Sequence, residues 1–132
     1  MHNKKQKVLI ADDEKDVLVI LEKELKARGY SVITADNGHG AMALARTEHP
    51  HLIMLDLEMP DMYGGDIARM LEEDPETKDI PIMFLTGMFP KQNETEGGRI
   101  VANHVLFAKP YCIEELVAAM NELLQSEKIS AR

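Results

Sequence analysis

Acidic, hydroxyl and ammonium side chains directly follow several short apolar segments of this sequence. In chain order they are Asp12 and Asp13, Asp56, Thr86 and Lys109. Apolar runs of this length are typical of strands that are covered on both faces, as in a parallel sheet. In open α/β sheets, ligands bind at the carboxyl ends of the strands. These residue types at these positions therefore indicate a site along one edge of a sheet.

The chemistry that these side chains suit is metal-assisted phosphoryl transfer. If the strands that end in Asp12-Asp13 and in Asp56 are neighbours, three carboxylates converge and repel one another unless a cation is bound. Mg²⁺ fits such a site because it takes a few carboxylate oxygens and keeps several waters. The Thr86 hydroxyl and the Lys109 ammonium suit the oxygens of a phosphoryl group. Asp56 is the natural nucleophile, since carboxylates form aspartyl phosphates.

Strand and helix patterns alternate five times along the chain, which predicts an α/β fold with a parallel sheet and helices on both faces. The predicted strands are residues 7–11, 30–34, 52–55, 80–85 and 105–108, and the predicted helices are residues 14–28, 40–47, 66–73 and 113–125. The pattern is weakest over residues 88–103, which contain Pro90 and the pair Gly97-Gly98. Because glycine disfavours helix interiors, any helix there is predicted to be short, such as residues 99–103, or irregular.

Length and charge narrow the class of protein. The chain has 132 residues, which predicts a single domain over residues 1–132, with a core at about residues 7–125 and flexible ends at 1–6 and 126–132. Its one cysteine excludes an internal disulfide. The net charge of −8 argues against direct binding to nucleic acid or to an anionic membrane. No apolar segment has the length of a membrane span or of a signal-peptide core. We therefore expect a cytoplasmic protein.

The motifs around these side chains resemble those of the response-regulator receiver domain (CheY-like) of two-component signal transduction. The matching segments are residues 8–14 (VLIADDE), 53–60 (IMLDLEMP), 64–65 (GG), 84–87 (FLTG) and 107–111 (FAKPY). Each motif alone is weakly specific, but all five in order and at matching spacing are highly specific. The resemblance implies a flavodoxin-like, doubly wound sheet of five parallel strands in the order 2-1-3-4-5, with a short or irregular fourth helix.

The resemblance also implies a role for each side chain of the site. The implied ligands of Mg²⁺ are Asp12, Asp13, Asp56 and the backbone carbonyl of Glu58. Asp56 would accept a phosphoryl group from a sensor histidine kinase or a histidine phosphotransfer protein, and Thr86 and Lys109 would bind its oxygens. The protein would catalyse only its own phosphoryl transfer and dephosphorylation. The resulting change would alter binding to a downstream protein, without contact to nucleic acid or membrane.

Several positions differ from the usual choices of the family or vary within it. Leu106 stands where a switch aromatic is usual, and the adjacent Phe107 is predicted to face the opposite side of the strand. We expect Leu106 to fill that space and to alter the switch only in degree. Cys112 stands where a helix N-cap is usual, and we expect a packed thiol rather than a redox role. Glu58 and Met88 are predicted to flank the phosphoryl group, with Glu58 repelling it or touching the metal and Met88 slowing its hydrolysis.

Two other classes of function compete with the switch. A receiver-like adaptor would bind a partner without phosphorylation. The complete acidic, hydroxyl and ammonium set opposes it, whereas Leu106 and the glycine pair leave some room for it. A metal-dependent phosphatase with Asp56 as nucleophile would need a second acid shortly afterwards. Glu58 has the right offset, but no glycine-threonine pair follows it.

Overall fold

The computed structural model describes residues 5–86, 99–101, 104–109 and 111–130. The elements in chain order are β1 (Lys7–Ala11), α1 (Lys15–Ala27), β2 (Ser31–Ala35), α2 (Gly38–Glu48), β3 (Leu52–Leu55), α3 (Gly64–Glu73), β4 (Ile82–Thr86), β5 (Arg99–Val101), β6 (His104–Ala108) and α4 (Ile113–Ser130). No helix among the described residues is both long and apolar enough to cross a membrane.

The sheet has the order β2-β1-β3-β4-β6-β5. Strands β2, β1, β3, β4 and β6 are mutually parallel where they pair, and they correspond to the five strands predicted from the sequence. The predicted order 2-1-3-4-5 is therefore confirmed. This order makes β1 and β3 neighbours, which brings their carboxyl ends to the same place on the sheet edge.

The sixth strand, β5, corrects the sequence prediction. Any helix in this region was expected to be short, for example over residues 99–103, or irregular, but Arg99–Val101 form a strand that pairs antiparallel with β6. The β-branched residues Ile100 and Val101 prefer extended backbone, and β6 offers them a free edge. The irregular segment predicted before Arg99 lies outside the described residues.

The last helix also differs from its prediction. It was expected to give way at about residue 125, whereas α4 continues to Ser130. Residues 113–130 carry no glycine or proline, so no residue in this range ends the helix.

Each of the five parallel strands contributes to two separate clusters of buried and partly buried side chains, because successive residues face opposite sides. The cluster packed against α1 and α4 includes Val8, Ile10, Met54, Met83, Leu85 and Phe107. The cluster packed against α2 and α3 includes Leu9, Ala11, Ile53, Leu55 and Phe84. The strands that carry the site residues are thus covered on both faces, as their apolar composition predicts.

Helix α1 ends in a Schellman motif. The N–H of Gly29 donates to the carbonyl of Lys26, and the N–H of Tyr30 donates to the carbonyl of Leu25, both at 3.1 Å. These bonds satisfy carbonyls that the end of a helix otherwise leaves without a partner. Gly29 has φ +96°, a conformation that side chains with a Cβ rarely adopt.

We expect Gly29→Ala to lower the free energy of unfolding by about 1 kcal/mol, because alanine is strained at positive φ. Gly29→Asn is the matched control, and it should cost less because asparagine visits the left-handed region more readily. Urea denaturation of the three proteins measures both changes. Equal losses for alanine and asparagine would contradict the conformational explanation.

Candidate functional site

Backbone hydrogen bonds extend the sheet by one residue beyond several strands and thereby fix the site residues. The N–H of Asp56 donates to the carbonyl of Ala11 (2.9 Å), and the N–H of Lys109 donates to the carbonyl of Thr86 (3.0 Å). Asp12 likewise donates its N–H to a carbonyl at the end of β2 (3.1 Å). The predicted site residues therefore stand on the carboxyl edge of the sheet with their backbones held in the ladder.

Three carboxylates converge at this edge. One oxygen from each of Asp12, Asp13 and Asp56 lies within 4.8 Å of the other two. Asp12 is 1% exposed and Asp56 is 5% exposed, whereas Asp13 lies at the surface. The structure thus brings these three carboxylates together, as the sequence predicts.

Burial changes the acidity of the two inner carboxyl groups. Burial and the nearby charge of Asp12 raise the pKa of Asp56 from 3.8 to about 6, while Lys109 and the backbone N–H of Glu58 oppose this shift. Burial also raises the pKa of Asp12. Two neighbouring acids whose ionised forms are disfavoured are relieved by a cation that binds between them. Hard carboxylate oxygens of this kind are the ligands that Mg²⁺ prefers, so the residues present fit that ion.

The Lys109 ammonium is the positive charge of the site. Its Nζ atom lies 2.8 Å from Oδ2 of Asp12, 2.7 Å from Oε1 of Glu14 and 3.8 Å from Oδ1 of Asp56. Burial tends to lower the pKa of Lys109, but the contacts with Asp12 and Glu14 outweigh it and leave the pKa above its usual value. Lys109 is therefore a fixed cation beside the predicted nucleophile.

Glu14 is a site residue that the sequence analysis missed. Its carboxylate reaches Lys109 across 95 positions of sequence, and its backbone N–H donates to Oδ1 of Asp12 (2.9 Å). The available signal was its place as the third acid in the run Asp12-Asp13-Glu14 at the end of β1. Sequence alone does not indicate which of three adjacent acids turns towards the lysine.

The other predicted site residues lie at the carboxyl end of β4 and in the loop between β3 and α3. Thr86 is buried at the carboxyl end of β4, next in the sheet to Lys109. The Glu58 side chain is exposed, and its backbone forms a bridge with Tyr63 across the loop. Its carbonyl as a metal ligand and its side chain beside the phosphoryl group stay predictions. Met88 lies outside the described residues.

The loop between β3 and α3 is held by a hydrogen bond across the loop itself and by hydrogen bonds to the start of α2. The N–H of Gly64 donates to the carbonyl of Leu57 at 2.6 Å. On the other side, the Asp61 carboxylate accepts the N–H groups of Gly38 (2.7 Å) and His39 (3.0 Å) at the start of α2. These backbone hydrogen bonds, together with the His39 side chain, lower the pKa of Asp61. The backbone next to Asp56 is therefore fixed by both flanking helices.

Leu106 is packed as the sequence predicts, whereas Cys112 is not. Leu106 packs against the cluster of α2 and α3 and lines a groove of about 340 Å³ with Phe84 and His104, whereas Phe107 packs on the other side of the sheet. The predicted opposite orientation is confirmed. The expectation of a packed thiol is wrong, because Cys112 is exposed in the turn just before α4.

Comparison with known proteins gives consistent matches. The family model described as Response regulator receiver domain matches residues 8–121. The protein named "Probable transcriptional regulator ycf27" from Porphyra purpurea is 36% identical over 131 residues, covering 98% of this chain and 52% of that protein. The alkaline phosphatase synthesis transcriptional regulatory protein PhoP of Bacillus subtilis is 31% identical over 126 residues, covering 96% of this chain and 51% of that protein.

A solved structure agrees with these sequence matches. The chemotaxis response regulator CheY4 of Vibrio cholerae superposes with a TM-score of 0.74 and 25% identity, covering 91% of this chain and 99% of that one. The chain spans about half the length of the curated relatives named above. The match to the family model covers most of the chain and includes every strand that carries a site residue. The chain therefore belongs to the response regulator receiver domain family.

Proposed function

We propose that this chain is a phosphorylation-dependent signalling switch whose phosphoryl acceptor is Asp56. The observation that carries the proposal is the convergence of three carboxylates and one ammonium at the carboxyl edge of the sheet. Asp56 is a buried carboxylate of the candidate metal site, and its Oδ1 lies 3.8 Å from Nζ of Lys109. An adaptor that works without phosphorylation would not need this costly burial of like charges.

In the proposed reaction, an oxygen of Asp56 attacks the phosphorus of a phosphohistidine on a histidine kinase or a phosphotransfer protein. The new P–O bond replaces the P–N bond, and the donor imidazole keeps the electron pair and takes a proton. Bound Mg²⁺, held by the three carboxylates and the carbonyl of Glu58, would supply positive charge to the phosphoryl oxygens. Lys109 supplies a second positive charge, and Thr86 supplies a hydroxyl donor.

The product differs from the free carboxylate in charge and in hydrogen-bonding capacity. A phosphoryl group adds negative charge and acceptor oxygens, which draw Lys109 and Thr86 towards Asp56. Thr86 ends β4, so its movement reaches the chain that follows. We infer that this change alters binding to a downstream protein, and that hydrolysis of the aspartyl phosphate resets the switch.

We infer that residues 1–132 form one receiver domain with its core at about residues 7–125, and that it works in the cytoplasm. The relatives are named as transcriptional regulators and are about twice as long as this chain. The prediction of no direct contact with nucleic acid therefore concerns these residues alone, whose net charge is −8.

Intact mass spectrometry after incubation with acetyl phosphate and Mg²⁺ tests the proposal. We expect wild type to gain one phosphoryl group, and we expect no gain for Asp56→Asn or for wild type in EDTA. A purified, autophosphorylated histidine kinase serves as a second donor, so that slow reaction with acetyl phosphate is not mistaken for inactivity. No gain from either donor while Mg²⁺ still binds would favour the unphosphorylated adaptor.

A further inference from the structure

The Glu14 side chain occupies an unusual position for a glutamate. Glu14 is the N-cap residue of α1, yet its side chain makes no capping hydrogen bond with the helix. Asparagine, aspartate, serine and threonine are the effective N-caps, and glutamate is not among them. The carboxylate instead turns away from the helix and contacts Lys109 at 2.7 Å. The contact with the lysine, and not capping, accounts for where this side chain lies.

Lys109 is shared unequally among its acidic neighbours. Glu14 and Asp12 both lie within 2.8 Å of the ammonium, whereas the nearest oxygen of Asp56 lies 3.8 Å away. The lysine is therefore closer to two acids that do not carry the phosphoryl group than to the one that does. A phosphoryl group on Asp56 would have to draw Lys109 from these partners.

We propose that Glu14 is a positioning residue that holds the Lys109 ammonium back from Asp56 and so weakens the binding of a phosphoryl group there. This inference rests on the proposed function of Asp56. Glu14 and the phosphoryl oxygens compete for one cation. Asp12 would be held by Mg²⁺ when the metal binds, which would leave Glu14 as the acid whose contact with Lys109 opposes phosphorylation.

The solvent exposure of the ion pair between Glu14 and Lys109 determines how large an effect on phosphoryl binding we expect. The Glu14 side chain is 61% exposed while that of Lys109 is 15% exposed, so solvent screens much of the attraction. Exposed ion pairs contribute little in general. Removing the Glu14 charge should therefore change the affinity for a phosphoryl group by a few-fold and leave the fold intact.

The experiment measures the affinity for beryllium fluoride, a tetrahedral phosphoryl mimic that binds an aspartate oxygen. Titrations at saturating Mg²⁺ are followed by the amide NMR spectrum. We expect Glu14→Gln to bind about two- to fivefold more tightly than wild type. The matched control is Asp16→Asn, since Asp16 is an exposed acid in the first turn of the same helix and makes no ion pair with the described residues. Asp16→Asn should change the affinity less than twofold.

A double-mutant cycle separates positioning of the lysine from a general loss of negative charge. In a Lys109→Met background, Glu14→Gln should no longer tighten binding, because the competition needs the ammonium. Weaker or unchanged binding by Glu14→Gln would overturn the inference, as would equal tightening in the Lys109→Met background. If wild type itself fails to bind beryllium fluoride with Mg²⁺, the proposed function fails first. If wild type binds and the cycle shows no coupling, only the role of Glu14 fails.

Discussion

Asp56→Asn is expected to make the metal-free protein more stable at pH 7, by about 1–3 kcal/mol. The pKa of Asp56 is raised from 3.8 to about 6 in the folded protein, chiefly by burial. The folded state therefore disfavours the ionised carboxylate, while the unfolded chain does not. An asparagine of nearly the same shape removes that charge. The raised pKa already includes the opposing attraction to Lys109, so the range describes the net effect of removing the charge.

The pH dependence of this effect has a definite sign. Between about pH 4 and pH 6 the folded protein holds a proton on Asp56 that the unfolded chain has released. The destabilisation of wild type by ionised Asp56 is therefore absent below about pH 4, grows as the pH rises to about 6, and is complete above that value. The difference in unfolding free energy between Asp56→Asn and wild type should follow this curve.

Urea denaturation in EDTA from pH 4 to pH 8 measures this difference. Asp79→Asn is the control, since Asp79 is an exposed acid just before the amino end of β4, on the opposite edge of the sheet from the site, and should shift stability by less than about 0.5 kcal/mol. Mg²⁺ should then raise the stability of wild type more than that of Asp56→Asn, because the variant lacks one carboxylate ligand. A variant that is less stable than wild type in EDTA at pH 7 would contradict the strain assigned to Asp56.

The sequence was sufficient for the part of the fold that depends on local patterns. Five apolar segments predicted the five parallel strands, because buried parallel strands are continuously apolar. The site residues at the strand ends, such as Asp12 and Lys109, could be located because each strand ends where its apolar run ends. The order of the strands came from resemblance to a family and not from the pattern, since alternation alone is compatible with several orders.

The missed strand and the missed contact of Glu14 both depend on long-range pairing. Residues Arg99–Val101 form a strand because β6 lies beside them, and a three-residue pattern carries too little information to indicate that partner. The contact between Glu14 and Lys109 joins opposite ends of the chain, and only the fold brings them together. Cys112 was expected to be packed because cysteine is usually buried, but its position just before α4 leaves it in solvent.

Gly64→Ala should have the second large effect, on stability and on the site together. An ideal Cβ at Gly64 would lie 2.5 Å from the carbonyl oxygen of Asp56 and 2.8 Å from Cα of Leu57. Both are backbone atoms, so no side-chain rotation can relieve the overlap. The same glycine donates its N–H to Leu57, which fixes the close approach. We expect a loss of about 2–3 kcal/mol of unfolding free energy from the forced backbone shift.

The adjacent glycine provides a matched control. A Cβ at Gly65 would lie 2.7 Å from the ring of Tyr63, but that side chain is 51% exposed and can turn away into solvent. Gly65→Ala should therefore change the unfolding free energy by less than about 1 kcal/mol, helped by the better helix propensity of alanine. Equal costs for the two substitutions would mean that the backbone approach at Gly64 is not the constraint.

The site itself should distinguish the two variants even under conditions where both are folded. The carbonyl of Asp56 and the chain through Leu57 lead directly to Glu58, whose N–H bonds to the Asp56 carboxylate. A shift of this backbone moves the nucleophile and a proposed metal ligand together. Gly64→Ala should thus weaken Mg²⁺ binding, measured by titration at low temperature, whereas Gly65→Ala should bind as wild type does. Normal Mg²⁺ affinity in folded Gly64→Ala would show that the acidic site tolerates movement of the loop that carries it.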